Sequence, residues 1–183
     1  MSTRFEDDGR TIWDFIEDFL VECPTCGGCA HVLPKDARAA RLFGARRVSC
    51  LHCGYTRDPS AARAKKARPR WEQERRAGAE RRQVSTSLFT PAARRPARSG
   101  PVDTFLGLPL YLQLPCASET LWALNARHLA WLEAFLSASL REDAAPTRHK
   151  TAVSTLPQWL IVARHRDEAL RAIARLRAKL LAG

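Results

Sequence analysis

An α+β fold is what the 183-residue sequence predicts, on three observations. Two Cys-x-x-Cys pairs, Cys23/Cys26 and Cys50/Cys53, stand 23 residues apart near the N-terminus, a spacing that brings two metal-binding turns together. A long stretch from residue 59 is rich in Arg and Pro and almost free of large apolar side chains. Hydrophobic periodicity then returns from Asp103 to the C-terminus. The expected order is an N-terminal helix and zinc ribbon over 1–58, a basic flexible linker over 59–102, and a small, mostly helical C-terminal domain over 103–183.

Each element has its own reason. In 11–20, Ile12, Phe15, Ile16 and Phe19 recur at helical spacing while Asp14, Glu17 and Asp18 face away, which predicts a short amphipathic helix. Ten residues do not hold a helix alone in water, so it must pack, with the adjoining ribbon as the nearest surface. Short ribbon strands are expected at 29–33, 46–49 and 55–57, with a loop or short helical turn over 34–45. Pro59, Pro69, Pro91, Pro96 and Pro101 punctuate the linker. A helix over 70–83 would gain the pair Glu72–Arg76 but has no apolar face to dock, and is expected to fray. Leu108, Leu110, Leu112 and Leu114 alternate, predicting a strand over 105–114 interrupted near Pro109 and Pro115, with 120–124 as its partner. Asn125 suits the N-cap of a helix over 126–142 that buries Leu129, Leu132, Phe135, Leu136 and Leu140. Thr155 with Gln158 fits a capping box for a short helix through Trp159 and Leu160. A last helix is expected from Asp167 as N-cap, burying Leu170, Ile173, Leu176 and Leu180. No internal repeat is present.

The cysteine pairs carry the clearest chemistry. A two-residue gap lets both thiolates of a turn face one ion, and the glycine after each pair, Gly27 and Gly54, permits the positive φ of a metal knuckle. Cys23, Cys26, Cys50 and Cys53 therefore make a closed tetrahedral set for one structural Zn2+, with no position open to substrate. Cys29 extends the first pair toward an iron–sulfur ligand run, but the second pair already completes a tetrahedron, which leaves Cys29 as a small buried residue on a strand. His31 and His52 are read as surface residues, and Cys116 as a buried free thiol.

Charge is the second signal. The formal charge is +11, yet residues 1–22 hold two basic against seven acidic side chains. Residues 60–98 hold twelve against three: Arg63, Lys65, Lys66, Arg68, Arg70, Arg75, Arg76, Arg81, Arg82, Arg94, Arg95 and Arg98. Arginine in excess favours bidentate phosphate contact, and Trp71 within the run can stack on a base. This segment is the expected nucleic-acid-binding arm, the bland alternative being a solvated linker kept extended by its charge. Arg171, Arg175 and Lys179 form a second basic stripe, of the kind that is usually a solvated helix face. Trp122, Trp131, Trp159 and Tyr111 are expected in the C-terminal core, and His128 as a packed or capping residue. No apolar run reaches the roughly 20 residues of a membrane span, and the acidic N-terminus does not read as a signal peptide, so a cytoplasmic protein with reduced thiols is expected. Nucleophile–base pairs, coupled carboxylates and an open metal site are all missing, so no enzyme and no small-molecule substrate is expected.

Around Cys23-Pro24-Thr25-Cys26-Gly27 and Cys50-Leu51-His52-Cys53-Gly54, over about residues 21–57, the sequence resembles the transcription-factor-B-type zinc ribbon. Over nearly the whole chain it also resembles a group of small, uncharacterised bacterial zinc-ribbon proteins. The residues that carry this are Asp14-Phe15-Ile16-Glu17, Leu106-Gly107-Leu108-Pro109-Leu110-Tyr111-Leu112-Gln113, Glu119-Thr120-Leu121-Trp122-Ala123-Leu124-Asn125 and Leu156-Pro157-Gln158-Trp159. The resemblance implies a bacterial source and a place in transcription or replication, and brings no activity with it. Helicase chemistry is excluded by the missing Gly-x-x-x-x-Gly-Lys-[Ser/Thr] loop. The expectation is thus a non-catalytic zinc-ribbon nucleic-acid-binding accessory protein. The alternative is an adaptor whose ribbon and acidic helix dock on a larger machine such as RNA polymerase. A metallo-redox role for Cys29 and Cys116 is a third.

Overall fold

A computed structural model of the chain describes residues 4–35, 44–58, 100–142 and 150–182. Both strands and helices are present, as an α+β fold requires. The elements run β1 (Arg4–Glu6), a 3-10 turn (Ile12–Phe15), β2 (Phe19–Glu22), β3 (Cys29–Pro34), β4 (Arg46–Ser49), β5 (Thr56–Arg57), β6 (Leu112–Cys116) and β7 (Glu119–Ala123). Then come α1 (Ala126–Ser137), β8 (Leu140–Glu142), α2 (Gln158–Ile161) and α3 (Arg166–Ala182), with a 3-10 turn on either side of α2.

The N-terminal helix expected over 11–20 is not what the chain forms. Thr11 and Asp14 close a capping box around a single 3-10 turn, and the chain then extends into β2. Phe19, Leu20 and Val21 are all buried in succession. A strand covered on both faces accommodates such a run, whereas a one-sided helix would leave one of them in water. Ile12, Phe15 and Ile16 still point inward, so the apolar spacing marked the right residues and the wrong period.

β2 is bonded along both edges. On one side it pairs antiparallel with β3, matching Phe19 to Val32 and Glu22 to Cys29, in the four-stranded order β2-β3-β4-β5. On the other, Leu20 N–H donates to the Leu124 carbonyl, Tyr111 N–H to the Leu20 carbonyl, and Glu22 N–H to the Pro109 carbonyl, each at 2.8 Å. One strand thus serves both the cysteine-bearing sheet and the segment leading into the β6–β7 hairpin. The buried apolar side chains form one cluster from Phe5 through Val21, Cys23, Cys50 and Leu112 to Leu176.

In the C-terminal part the hairpin partner is found at Glu119–Ala123, but the first strand starts at Leu112. Residues 103–108 turn instead, because the buried Asp103 carboxylate accepts the backbone N–H groups of Phe105, Leu106 and Leu108 at 2.7–2.9 Å. Asn125 caps α1 as expected, its Oδ1 accepting His128 N–H at 2.9 Å. The helix ends at Ser137, short of residue 142, because β8 pairs parallel with β1 and satisfies that edge; Leu140 is therefore half exposed. Thr155 makes no capping box: its hydroxyl turns back to the Ala152 carbonyl, and α2 starts after Pro157. α3 starts at Arg166, with Asp167 inside the first turn; Ile173 and Leu176 are fully buried, Leu170 and Leu180 half-buried.

His128 links the N-terminal turn to α1. Its ring stacks on Phe15 with centroids 4.9 Å apart, and Nδ1 accepts Leu124 N–H at 3.2 Å. Burial lowers its pKa to about 3, so it stays neutral at physiological pH and acts as a packed acceptor.

Candidate metal centre

β2 delivers Cys23 and β4 delivers Cys50, so the rigid ends of two strands set one cysteine of each pair. The turns that follow are built alike. In the first, Gly27 N–H donates to the Cys23 carbonyl and Cys23 N–H to the Gly28 carbonyl. In the second, Gly54 N–H donates to the Cys50 carbonyl and Cys50 N–H to the Tyr55 carbonyl. Gly27 and Gly54 both have φ of 72°, in the left-handed region that glycine adopts without strain. Open space surrounds the position a Cβ would take at Gly54, so only backbone strain opposes a side chain there. Gly54→Ala is expected to lower stability by about 1 kcal/mol, with one metal per chain retained, as read from denaturant melts and metal content.

The four sulfurs lie within 4.8 Å of one another. The Cys23–Cys53 and Cys26–Cys50 separations are each 3.6 Å. Sulfurs at about 2.3 Å from a shared tetrahedral ion sit about 3.8 Å apart. The donor set therefore fits one metal ion. Backbone N–H groups of Thr25 and Cys26 point at the Cys23 sulfur, Gly28 at Cys26 and Tyr55 at Cys53, the outer-shell donors that orient thiolates on a metal. Burial raises the Cys23 thiol, but these N–H groups and the neighbouring Cys53 and Cys26 outweigh it and bring it down to about 6. The Tyr55 N–H lowers Cys53, yet burial and the other three sulfurs push it up to about 12. Four thiols this close do not ionise together without a cation among them, and a divalent ion takes all four as thiolates.

Cys29 stands outside this set. It is half-buried on β3, its carbonyl lies 3.5 Å from the Cys50 sulfur, and burial with the nearby Cys50 pushes its own thiol up to about 11. His31 lies within β3 opposite Leu20 and Ser49, and His52 is exposed at the tip of the second turn; neither joins the four ligands. Cys116 is buried in the core, and burial raises its pKa. Trp131 and Tyr111 are buried, while Trp122 and Trp159 are half-buried against the same core.

Arg46 is the residue that the sequence reading missed. Its guanidinium is buried between the rings of Phe19 at 5.1 Å and Phe105 at 4.4 Å, and Nη1 donates to the Glu17 carbonyl at 3.1 Å. Strand alternation is the signal that marks it, since Arg46 shares a face with the buried Val48. It ties the cysteine-bearing sheet to the 103–108 turn. The acidic N-terminal segment is likewise occupied. Asp7 accepts Gly9 N–H, Asp8 pairs with Arg10, Asp14 accepts from Thr11, Glu17 pairs with Arg127, and Asp18 accepts from Asn125.

Arg63, Lys65, Lys66, Arg68, Arg70, Trp71, Arg75, Arg76, Arg81, Arg82, Arg94, Arg95 and Arg98, with the helix expected over 70–83, lie outside the described residues. Among the described residues no helix is long and apolar enough to cross a membrane. No protein-family model, curated protein or solved structure matches the chain.

Proposed function

We propose that the protein is a non-catalytic, zinc-binding accessory protein that binds nucleic acid through its basic segment. Zinc is the metal chosen because four thiolates in a closed tetrahedral set suit a structural zinc site. The observation that carries the nucleic-acid reading is the partition of charge. The described residues hold fifteen Lys or Arg against fourteen Asp or Glu, so the described part of the chain is nearly neutral. Residues 60–98 carry a net +9 of the chain's +11. A neutral body with one polycationic segment favours a polyanion at that segment over a general surface attraction.

The test is fluorescence anisotropy with labelled DNA and RNA, using zinc-loaded full chain and a chain lacking residues 60–98. Deletion is expected to weaken binding at least a hundredfold at about 0.1 M salt. An unchanged affinity would refute the reading.

A second reading is a protein adaptor, and one observation favours it. Leu51 is 88% exposed at the tip of the second cysteine turn, and no charged side chain occurs in 23–34 or 50–56. The apolar face of 11–20 does not support it, because Ile12, Phe15, Ile16 and Phe19 are buried in the protein's own core. Under this reading, a complex with a protein partner survives nuclease and moderate salt, and Leu51→Asp breaks it.

A further inference from the structure

We infer that the solvent face of α3 is a second phosphate-binding surface, which contacts the same nucleic acid as the basic segment without reading its bases. The inference rests on the nucleic-acid reading above and assigns it a site among the described residues.

α3 lies along β6. Ala117 N–H, just past the strand's end, donates to Glu168, and Lys179 near the far end of the helix donates to the Tyr111 carbonyl at 2.6 Å. The Lys179 ammonium also stands 4.0 Å from the Tyr111 ring centre, so this cation is spent on packing. Arg177 is paired with Glu133 on α1. Arg171 and Arg175 are different. They are exposed, one turn apart with a rise of about 6 Å, and neither forms an ion pair with any described residue.

Ordinary helix stabilisation does not account for them. The macrodipole rewards cations in the last turn, where Lys179 sits. Arg171 and Arg175 lie in the interior of a helix that runs from Arg166 to Ala182, where the dipole rewards no cation. Arg171 and Arg175 at i, i+4 repel each other, and residues 170–182 contain no acid to relieve them. Of the acids before them, Glu168 is turned to Ala117, and Asp167, one turn earlier, makes no ion pair with Arg171. Ala174 and Ala178 are the exposed residues beside the two arginines, leaving a low surface that a sugar–phosphate backbone can approach. Finally, the basic segment rejoins the described body at Gly100, which abuts the Gln113 side chain of β6, the strand against which α3 lies.

The test is a salt series with labelled single-stranded DNA and RNA on the zinc-loaded full chain. Arg171→Gln/Arg175→Gln is compared with Arg4→Gln/Arg127→Gln, which removes the same net charge from residues paired with Glu142 and Glu17. Circular dichroism and zinc content establish that both variants fold. The α3 variant is expected to bind about tenfold more weakly near 0.1 M salt and to flatten the log–log salt slope by about 1 to 2, while the control stays near the parent. The chain lacking 60–98 should retain weak binding that the α3 substitutions abolish. Equal losses in both variants would reduce the effect to net charge and overturn the inference. An unchanged α3 variant, with binding abolished by the deletion, overturns it and leaves the basic segment as the sole site. No binding by the parent, or binding only to phosphatidylserine vesicles, overturns both.

Discussion

Cys50→Ser should unfold more than the two cysteine turns. Cys23 and Cys50 are both about 1% exposed and belong to the same apolar cluster as Leu110, Leu112 and Leu129. β2, which ends at the first cysteine turn, also supplies the hydrogen-bonding edge for residues 109–111 and 124. Structural zinc in small thiolate sites contributes roughly 10–16 kcal/mol, comparable to or larger than the 5–15 kcal/mol net stability of a typical domain. Without the metal, the crowded sulfurs, Cys23 and Cys50 among them buried, lose the cation that holds them together, and the site no longer holds its strands. Release of β2 then exposes Phe15 and Phe19, and with them the ring contacts to His128, Trp131 and Phe105. The expected result, for Cys50→Ser or for chelated parent protein, is loss of the cooperative thermal transition and of most near-ultraviolet dichroism from Trp122 and Trp131. Retention of that tryptophan signal after metal removal would mean that the C-terminal part stands without the metal.

Asn125→Asp should be more damaging than Asn125→Ala, although Asp caps helices as well as Asn does. The Asn125 side chain works in two directions at once. Its Oδ1 caps α1, and its Nδ2 donates to the Phe15 carbonyl at 2.7 Å, the Asp18 carbonyl at 3.0 Å and the Asp18 carboxylate at 3.0 Å. Alanine loses the cap and leaves these acceptors short of a donor, about 2–4 kcal/mol in all. Aspartate keeps the cap but turns a buried carboxylate on two carbonyls and a second carboxylate, about 3–5 kcal/mol. Burial and Asp18 raise the pKa of the new carboxyl in the folded state. Stability relative to the parent should then recover as pH falls, because the protonated form can donate to one of the carbonyls. Urea melts of the three proteins at pH 5 and pH 7.5 measure this. Aspartate equal to parent at pH 7.5 would mean that the amide is not a structural tie.

The parts legible in the sequence are those set by local chemistry. The two cysteine turns announce themselves by residue type, gap and following glycine, and Asn125 marks its helix start because a cap is a contact between residues three apart. The parts that were not legible depend on distant partners. The amide half of Asn125 reaches a carbonyl 110 residues away, which no window of sequence contains. The β1–β8 pair joins Arg4 to Leu140, and it ends α1 early without any breaker in the helix itself. Residues 11–20 were ambiguous for a physical reason. Ile12, Phe15, Ile16 and Phe19 fit a helical period, while the unbroken run Phe19-Leu20-Val21 fits a strand buried on both faces, and the bonds on both edges of β2 decide it. The stripe of Arg171, Arg175 and Lys179 also divides by contact, Lys179 being held on Tyr111 and the other two left to solvent.

The measurement that tests the central claim most directly is the slope of log affinity against log salt for zinc-loaded protein with a labelled single strand, taken with and without residues 60–98. Each neutralised phosphate contributes about −0.7 to that slope, so engagement of most of the twelve cations predicts a value between about −5 and −8, falling to about −2 or shallower on deletion. A shallow slope for the intact chain, or the same slope after deletion, would contradict the assignment of the basic segment as the nucleic-acid-binding element.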